Sequence, residues 1–273
     1  MIDLHTHTDA SDGRLSSHEL VERAWKAGIG VLGVTDHDTV AGLSAARQAA
    51  AAFGLTLIDG VEVTAVERGR DVHVLGYFVD PGNADLCRFL ARQREQRTAR
   101  VKEIGARLER IGAPIDVARL LTSREAKEAI GRPAVAAALI AAGHATSQAD
   151  AFDRFLGERG AAWVPREGPS VAQVIDLLHS VRAIVSLAHP GLNRCDERIG
   201  EWATAGLDAI EVFHSEHSPE DVTRYRALAA TLNLAVTGGS DYHGHDHGSR
   251  AHLGSVTLPP EELERVRGLA GPR

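Results

Sequence analysis

Short apolar runs that alternate with helical patterns constrain the fold of this chain most strongly. Helical patterns follow several of these runs, as Ser17–Ala27 does with Gly28 as its stop signal. Buried strands alternating with helices indicate a parallel sheet covered on both faces, and seven of them indicate a closed or nearly closed (β/α)7 TIM-like barrel, an α/β fold. A doubly wound open sheet is the alternative. The seven runs, rich in Val, Ile and Leu, lie at 2–6, 31–35, 56–63, 72–78, 183–188, 208–213 and 234–238.

The strand pattern disappears between about residue 81 and residue 164. Three helical stretches replace it, at Asn83–Ile111, Ala134–Ala142 and Gln148–Leu156. We therefore predict a barrel formed by residues 1–80 and 165–273, with residues 81–164 as a helical insertion that caps the active site at the barrel mouth.

Composition and charge narrow the class of protein. The chain has 273 residues and a formal net charge of −7, which argues against broad electrostatic binding to nucleic acid. The N-terminus lacks the layout of a secretion signal, and no apolar run approaches the ~20 residues that cross a bilayer. Cys87 and Cys195 suggest no disulfide framework. We expect a cytoplasmic protein with no membrane contact and no stable protein partner.

Side chains of the types that bind metals lie where the apolar runs end. His5 and His7 are two residues apart on a strand, so their side chains point to one face. Imidazole and carboxylate ligands without thiolate suit manganese, zinc or iron better than a structural zinc site. The candidates exceed what one ion can bind, so we expect two or three divalent ions sharing a carboxylate. They are His5, His7, Asp12, His37, Glu62, His73, His189, Asp241 and His243.

The remaining histidines have other interpretations. His214 ends the sixth run, and its role stays open between a ligand, a neighbour of ligands and the acid that protonates a leaving group. His245 and His247 are interpreted as solvated loop residues. Five histidines in helices or without supporting context are interpreted as structural: His18, His144, His179, His217 and His252.

Four motifs carry a family resemblance: His5-Thr6-His7, Thr35-Asp36-His37-Asp38, Ala188-His189-Pro190 and Ser240-Asp241-Tyr242-His243. In order and spacing they resemble the polymerase and histidinol phosphatase (PHP) family of metal-dependent phosphoesterases. The resemblance covers the barrel portion and implies a distorted seven-stranded barrel that binds up to three metals. It implies a first metal on His5, His7, Glu62 and Asp241, a second on Glu62, His73 and His189, and a third on Asp12, His37 and His243. Some members have His at the Asp12 position, so the third site here is expected to be weaker or to favour manganese.

The insertion resembles that of small PHP members that act on nucleotides. The matching segments are Gly131-Arg132-Pro133 and Trp163-Val164-Pro165, although Ala134 stands where related sequences often have His. Arg holds phosphate with a planar fork of donors, and an aromatic ring can stack on a base. The candidate substrate-binding residues are Arg97, Arg132, Arg194 and Trp163.

The resemblance and the ligand set together predict a metal-dependent phosphatase with Mn²⁺ as the expected ion, although Zn²⁺ and Fe²⁺ also fit. Divalent ions acidify water and neutralise phosphoryl oxygens, so no protein nucleophile is needed. Asp241 is expected to act in catalysis as well as in metal binding, and His214 is the candidate acid for the leaving group, with a third metal as its rival.

The expected substrate is a 3′,5′-nucleoside bisphosphate, converted to a nucleoside monophosphate and phosphate. The alternatives are 5′-3′ exonucleolytic cleavage of short RNA oligonucleotides and hydrolysis of histidinol phosphate. A non-enzymatic PHP scaffold is disfavoured because the ligand set is complete.

Overall fold

The computed structural model describes residues 1–122, 131–193, 195–244 and 252–271. The chain divides into two compact units. The barrel unit comprises Met1–Leu90 and Pro169–Arg273, and the helical unit comprises Ala91–Gly168. Each unit has its own apolar core.

Seven strands form the sheet of the barrel unit, in the spatial order of their sequence. The first and last strands approach one another closely: Leu4 donates its backbone N–H to Gly238 (3.1 Å), and His7 donates to Tyr242 (2.9 Å). The nearly closed seven-stranded α/β barrel is thereby confirmed. The strands are β1 Ile2–Asp3, β2 Val31–Val34, β3 Thr56–Glu67, β4 Arg70–Tyr77, β5 Ile184–Leu187, β6 Ala209–His214 and β7 Ala235–Gly239.

The prediction of a wholly parallel sheet was wrong at one strand. β4 runs antiparallel to both β3 and β5. Arg68 and Gly69, with φ of 49° and 78°, form a two-residue hairpin turn between β3 and β4. A parallel pair needs a crossover of a dozen or more residues, and the chain between these runs is shorter than that. The short connection in the sequence could therefore have predicted that β4 is antiparallel to β3.

Helices cover the barrel where the pattern predicts them. Ser16, Ser170 and Ser218 each form a capping box at the start of a helix. The Ser side chain accepts from the backbone N–H three residues on, and the side chain of that residue accepts from the Ser backbone N–H. The short helix at 190–193 and the last helix were not predicted. The helices outside the insertion are α1 Ser17–Lys26, α2 Leu43–Phe53, α7 Val171–Ser180, α8 Pro190–Asn193, α9 Ile199–Thr204, α10 Pro219–Leu232 and α11 Pro260–Leu269, and a 3₁₀ turn at Asp196–Arg198 precedes α9.

The long helix α3, Ala84–Arg110, begins in the barrel unit and continues into the helical unit. The apolar side chains of its first part, Leu86 and Leu90, belong to the barrel core, whereas Val101 and Leu108 belong to the core of the helical unit. The other helices of this unit are α4 Val117–Thr122, α5 Arg132–Ala141 and α6 Gln148–Ala151, which continues as a π-helical turn at Phe152–Leu156. None of the described helices is both long and apolar enough to cross a membrane.

Candidate metal centre

Glu62 lies at the centre of the site. The sequence places it at the end of the third run, but β3 continues to Glu67, so Glu62 lies within the strand and pairs in parallel with His37. Its fully buried carboxylate contacts five imidazoles. Oε2 lies 3.4 Å from His5 Nε2, 3.3 Å from His7 Nε2 and 3.0 Å from His37 Nδ1, and Oε1 lies 3.0 Å from His73 Nδ1 and 3.1 Å from His189 Nε2.

Asp241 follows β7 and approaches the same histidines from the other side. Its Oδ1 lies 3.4 Å from His5 Nε2 and 3.1 Å from His7 Nε2, and its Oδ2 lies 3.3 Å from His214 Nε2. Asp241 adopts the left-handed conformation (φ 54°) and donates its backbone N–H to His5 at 2.8 Å. This backbone bond fixes the aspartate directly beside the His5 strand.

Asp12 completes a third group of ligand-type side chains. Its Oδ1 lies 3.2 Å from His243 Nε2, and its Oδ2 lies 3.7 Å from His37 Nε2. The loop that carries Asp12 is held by the buried Asp36, whose carboxylate accepts from the Thr8 backbone N–H, the Thr8 hydroxyl and the Ser11 hydroxyl, each at 2.7 Å. The sequence singles out Asp36 only as a strand-end residue, and its loop-anchoring role depends on these tertiary contacts.

Among the residues that the structure describes, three overlapping groups have ligand atoms within 4.8 Å of one another. The first and third groups contain the sets that the family resemblance implies, with His7 added to the third. The second differs: His37 joins Glu62 and His73, although His189 also reaches Glu62. The groups are His5, His7, Glu62 and Asp241; His37, Glu62 and His73; and His7, Asp12, His37 and His243.

Several buried ligand atoms suit a cation better than a hydrogen bond. Within the described part of the chain, His5 Nε2, His7 Nε2, His37 Nδ1 and Glu62 Oε2 are buried without a hydrogen-bond partner. Burying such atoms costs free energy unless something compensates them. Nitrogen and oxygen lone pairs converging within a few ångströms are the donor set of a divalent metal site. The residues therefore fit a metal centre with clusters able to bind more than one ion.

The electrostatics keep the carboxylates of this cluster ionised. Burial raises the pKa of Glu62, but His37, His73 and His5 outweigh it and hold the pKa well below its ordinary value. The pKa of Asp241 is lowered well below its ordinary value in the same way, because His5 and His243 overcome the effect of burial. These two carboxylates are thus ionised at neutral pH, as ligands of a cation must be.

Sequence reasoning missed Glu211, which lies beside the cluster. Its Oε1 is 3.0 Å from His5 Nδ1, and its Oε2 accepts the His189 backbone N–H at 2.8 Å. Glu211 and His214 are three apart on β6, which in a regular strand would point them to opposite faces. A β-bulge between Glu211 and Phe213 shifts the register, so both side chains reach the cluster. A lone carboxylate inside an apolar strand was the only signal in the sequence.

Arg97, Arg132 and Trp163 belong to the helical unit, where the Arg132 guanidinium lies over the Phe152 ring at 5.6 Å. Arg194 lies outside the described residues, as do His245 and His247. The roles of these three arginines and of Trp163 remain predictions.

Curated relatives match most of the chain. A 5′-3′ exoribonuclease of Escherichia coli is 35% identical over 250 residues, covering 88% of this chain and 84% of its own length. A phosphoribosyl 1,2-cyclic phosphate 1,2-diphosphodiesterase of Eggerthella lenta is 34% identical over 260 residues (92% and 97%). A 3′,5′-nucleoside bisphosphate phosphatase of Chromobacterium violaceum is 30% identical over 264 residues (95% and 93%).

A solved structure has the same fold. The protein from Bifidobacterium adolescentis, assigned as a metal-dependent phosphoesterase, superposes with a TM-score of 0.82 at 34% identity, covering 98% of this chain and 95% of its own. The PHP domain model matches residues 3–141, which contain six of the nine candidate ligands: His5, His7, Asp12, His37, Glu62 and His73. The chain belongs to the PHP domain family of metal-dependent phosphoesterases.

Proposed function

We propose that this protein is a metal-dependent phosphatase that hydrolyses a phosphate ester of a small nucleotide, with a 3′,5′-nucleoside bisphosphate as the substrate. The observation that carries the proposal is the convergence of five imidazoles on the Glu62 carboxylate, in a chain whose relatives act on phosphate esters. The products are a nucleoside 5′-monophosphate and inorganic phosphate.

The ligand assignment is part of the proposal. We assign all nine candidate ligands to the metal centre, including His189, Asp241 and His243, which lie beyond the residues that the PHP domain model matches. Glu62 has one oxygen toward His5 and His7 and the other toward His73 and His189, as a bridging ligand requires. Divalent ions bound there, with Mn²⁺ as our choice, would neutralise phosphoryl oxygens and acidify water.

His214 is proposed to assist departure of the leaving oxygen by donating a hydrogen bond to it from the ring. Its Nδ1 accepts the Glu216 backbone N–H at 3.1 Å, so the proton of the neutral ring lies on Nε2, 3.3 Å from Asp241 Oδ2. The His214 residue is buried at 3% exposure, and its ring neighbours the ring of His189 at 5.4 Å between centroids. Asp241 thus orients the Nε2–H group, and the leaving oxygen would replace Asp241 as the acceptor of this hydrogen bond.

A second candidate function is 5′-3′ exonucleolytic cleavage of short RNA. The relative with that activity is 35% identical to this chain, compared with 30% for the bisphosphate phosphatase. Both reactions can be written as hydrolysis of the ester between the 3′ oxygen and phosphorus of a nucleoside 5′-phosphate. They differ only in whether a further nucleotide follows that phosphate.

The test is a substrate panel with Mn²⁺. It contains adenosine 3′,5′-bisphosphate, 3′-AMP, 5′-AMP, a 5′-phosphorylated RNA trimer, a phosphoribosyl 1,2-cyclic phosphate and histidinol phosphate. The proposal predicts the highest kcat/KM for the bisphosphate, with 5′-AMP as product. A higher value for the trimer would establish the exonuclease instead, and a preference for histidinol phosphate or the cyclic phosphate would overturn the nucleotide ester assignment.

A further inference from the structure

Glu211 is a buried carboxylate whose two oxygens both bind residues of the metal cluster. It lies in β6 between the buried Ile210 and Val212, at 0% exposure. A buried charge is costly unless it is hydrogen-bonded. Glu211 meets this requirement through the His5 ring and the His189 backbone N–H, at 3.0 Å and 2.8 Å.

The contact between Glu211 and His5 determines which nitrogen of the His5 ring has a lone pair available for a metal. An ionised carboxylate only accepts hydrogen bonds. His5 Nδ1 therefore carries the hydrogen and donates this bond to Glu211. In the neutral ring the lone pair then lies on Nε2, which is 3.4 Å from both Glu62 Oε2 and Asp241 Oδ1. A metal-bound histidine needs that lone pair, and a carboxylate on its other nitrogen raises its basicity.

The contact with His189 holds an unusual backbone conformation. His189 has φ of 27°, in the left-handed region that non-glycine residues seldom adopt. Its N–H is held by Glu211 while its Nε2 reaches Glu62 Oε1 at 3.1 Å. The same carboxylate therefore restrains two cluster residues that come from different strands.

Hydrogen bonds of His217 stabilise the β-bulge that orients Glu211. His217 Nδ1 lies 2.9 Å from the Val212 carbonyl oxygen, and His217 Nε2 accepts the Gly191 backbone N–H at 3.2 Å. A single ring thus joins the bulge of β6 to the chain that follows His189. The orientation of Glu211 is built into the barrel and does not depend on a surface contact.

We propose that Glu211 is a positioning residue of the metal centre, which sets the ligating form of the His5 ring and the backbone of His189. The inference rests on the metal centre of the proposed function, but it concerns metal binding and needs no turnover.

The barrel contains a matched control for this arrangement. Asp208 precedes β6, and its Oδ2 lies 2.9 Å from His179 Nε2 and accepts the Val185 backbone N–H at 2.8 Å. Like Glu211, Asp208 contacts one imidazole and one backbone N–H, although it does so through a single oxygen. His179 is 39% exposed and belongs to none of the ligand groups found among the described residues. Replacing each carboxylate by its amide therefore separates metal positioning from general stabilisation.

The experiment compares Glu211→Gln and Asp208→Asn with the wild type. Mn²⁺ is titrated into the metal-free full-length chain by calorimetry, and Tm is measured with and without Mn²⁺. Glu211→Gln should weaken Mn²⁺ binding by roughly 10- to 100-fold. Asp208→Asn should keep the wild-type affinity within about twofold while lowering Tm equally in both forms. Unchanged affinity in Glu211→Gln, or an equal loss in both variants, would overturn the proposal.

A measurement on the wild type covers the case in which Glu211→Gln does not fold. With ¹⁵N-labelled histidine and Zn²⁺ as a diamagnetic probe, the His5 ring should be protonated at Nδ1, with its signals assigned by their loss in His5→Gln. Protonation at Nε2 would overturn the proposal. A wild type that binds no metal contradicts the proposed function as well, whereas a metal-binding wild type with an unaffected Glu211→Gln contradicts only the role of Glu211.

Discussion

The barrel unit buries a cluster of converging ionisable side chains, whereas the ion pairs described in the helical unit lie at its surface between residues close in sequence. Glu62 is fully buried among five histidines, but Glu103 on α3 is half exposed and lies 2.9 Å from Arg107, one turn away. The net charges also differ. The barrel unit has 16 Lys and Arg against 27 Asp and Glu, a net −11, and the helical unit has 14 against 10, a net +4.

The contrast separates charges that determine function from charges that keep a surface solvated. Buried carboxylates without full compensation must be balanced by a cation, so their removal has a large effect. Exposed pairs gain little in water and are screened by salt. The predictions below test this difference, beginning with the largest expected effect.

Glu62→Gln should abolish turnover. The change removes the charge on which five histidine rings converge. We expect kcat/KM to fall by at least ~10³-fold, or about 4 kcal/mol of transition-state stabilisation. Steady-state kinetics with the bisphosphate substrate measures it. The matched change Glu103→Gln on the helical unit should leave kcat/KM within about twofold, and a Glu62→Gln enzyme with near wild-type activity would refute the bridging role.

Metal removal should lower the stability of the barrel unit. A ligand at 100 times its Kd stabilises the folded state by about 2.7 kcal/mol, which corresponds to a Tm shift of roughly 5–10 °C for a unit of this size. Calorimetry before and after chelation and Mn²⁺ return measures the shift. If the two units unfold in separate transitions, only that of the barrel should move; a shift confined to the helical unit would contradict the site.

Arg132→Ala should raise KM for the bisphosphate by about tenfold while leaving KM for 3′-AMP nearly unchanged. Hydrogen bonds to charged groups contribute about 1.5–3 kcal/mol, and the loss would fall on the second phosphate. Arg154→Ala is the matched control, since its guanidinium also lies over a phenylalanine ring, Phe155, at 4.6 Å. Equal KM changes for both substrates would contradict the proposed contact between Arg132 and the second phosphate.

Glu103→Gln should have the smallest effect, a change in Tm close to measurement error at pH 7. The hydrogen bond from Arg107 lowers the pKa of Glu103, so the pair contributes above the ordinary pKa of a glutamate and is lost as the pH falls through the lowered value. The difference from wild type should therefore shrink as the pH falls below the ordinary pKa of a glutamate. Thermal melts of both proteins across this range check the sign, and a difference that grows in acid would contradict it.

Local patterns were sufficient for much of the fold. Apolar runs, Ser caps and Gly stops located seven strands and most of the barrel helices within a few residues, because these signals act over one or two turns of chain. The direction of β4 was missed although the short connection through Arg68 and Gly69 excludes a crossover helix. The last helix, Pro260–Leu269, was also missed.

For the metal centre, the sequence by itself determined which residue types stand at the barrel strand ends, since alternation along a strand and the motif spacing are properties of the chain. Only the tertiary structure decided that His37 lies between two ligand groups and that a bulge turns Glu211 toward His5. The physical reason is that a register shift depends on pairing with a strand far along the chain, so side-chain alternation read from β6 alone cannot reveal it.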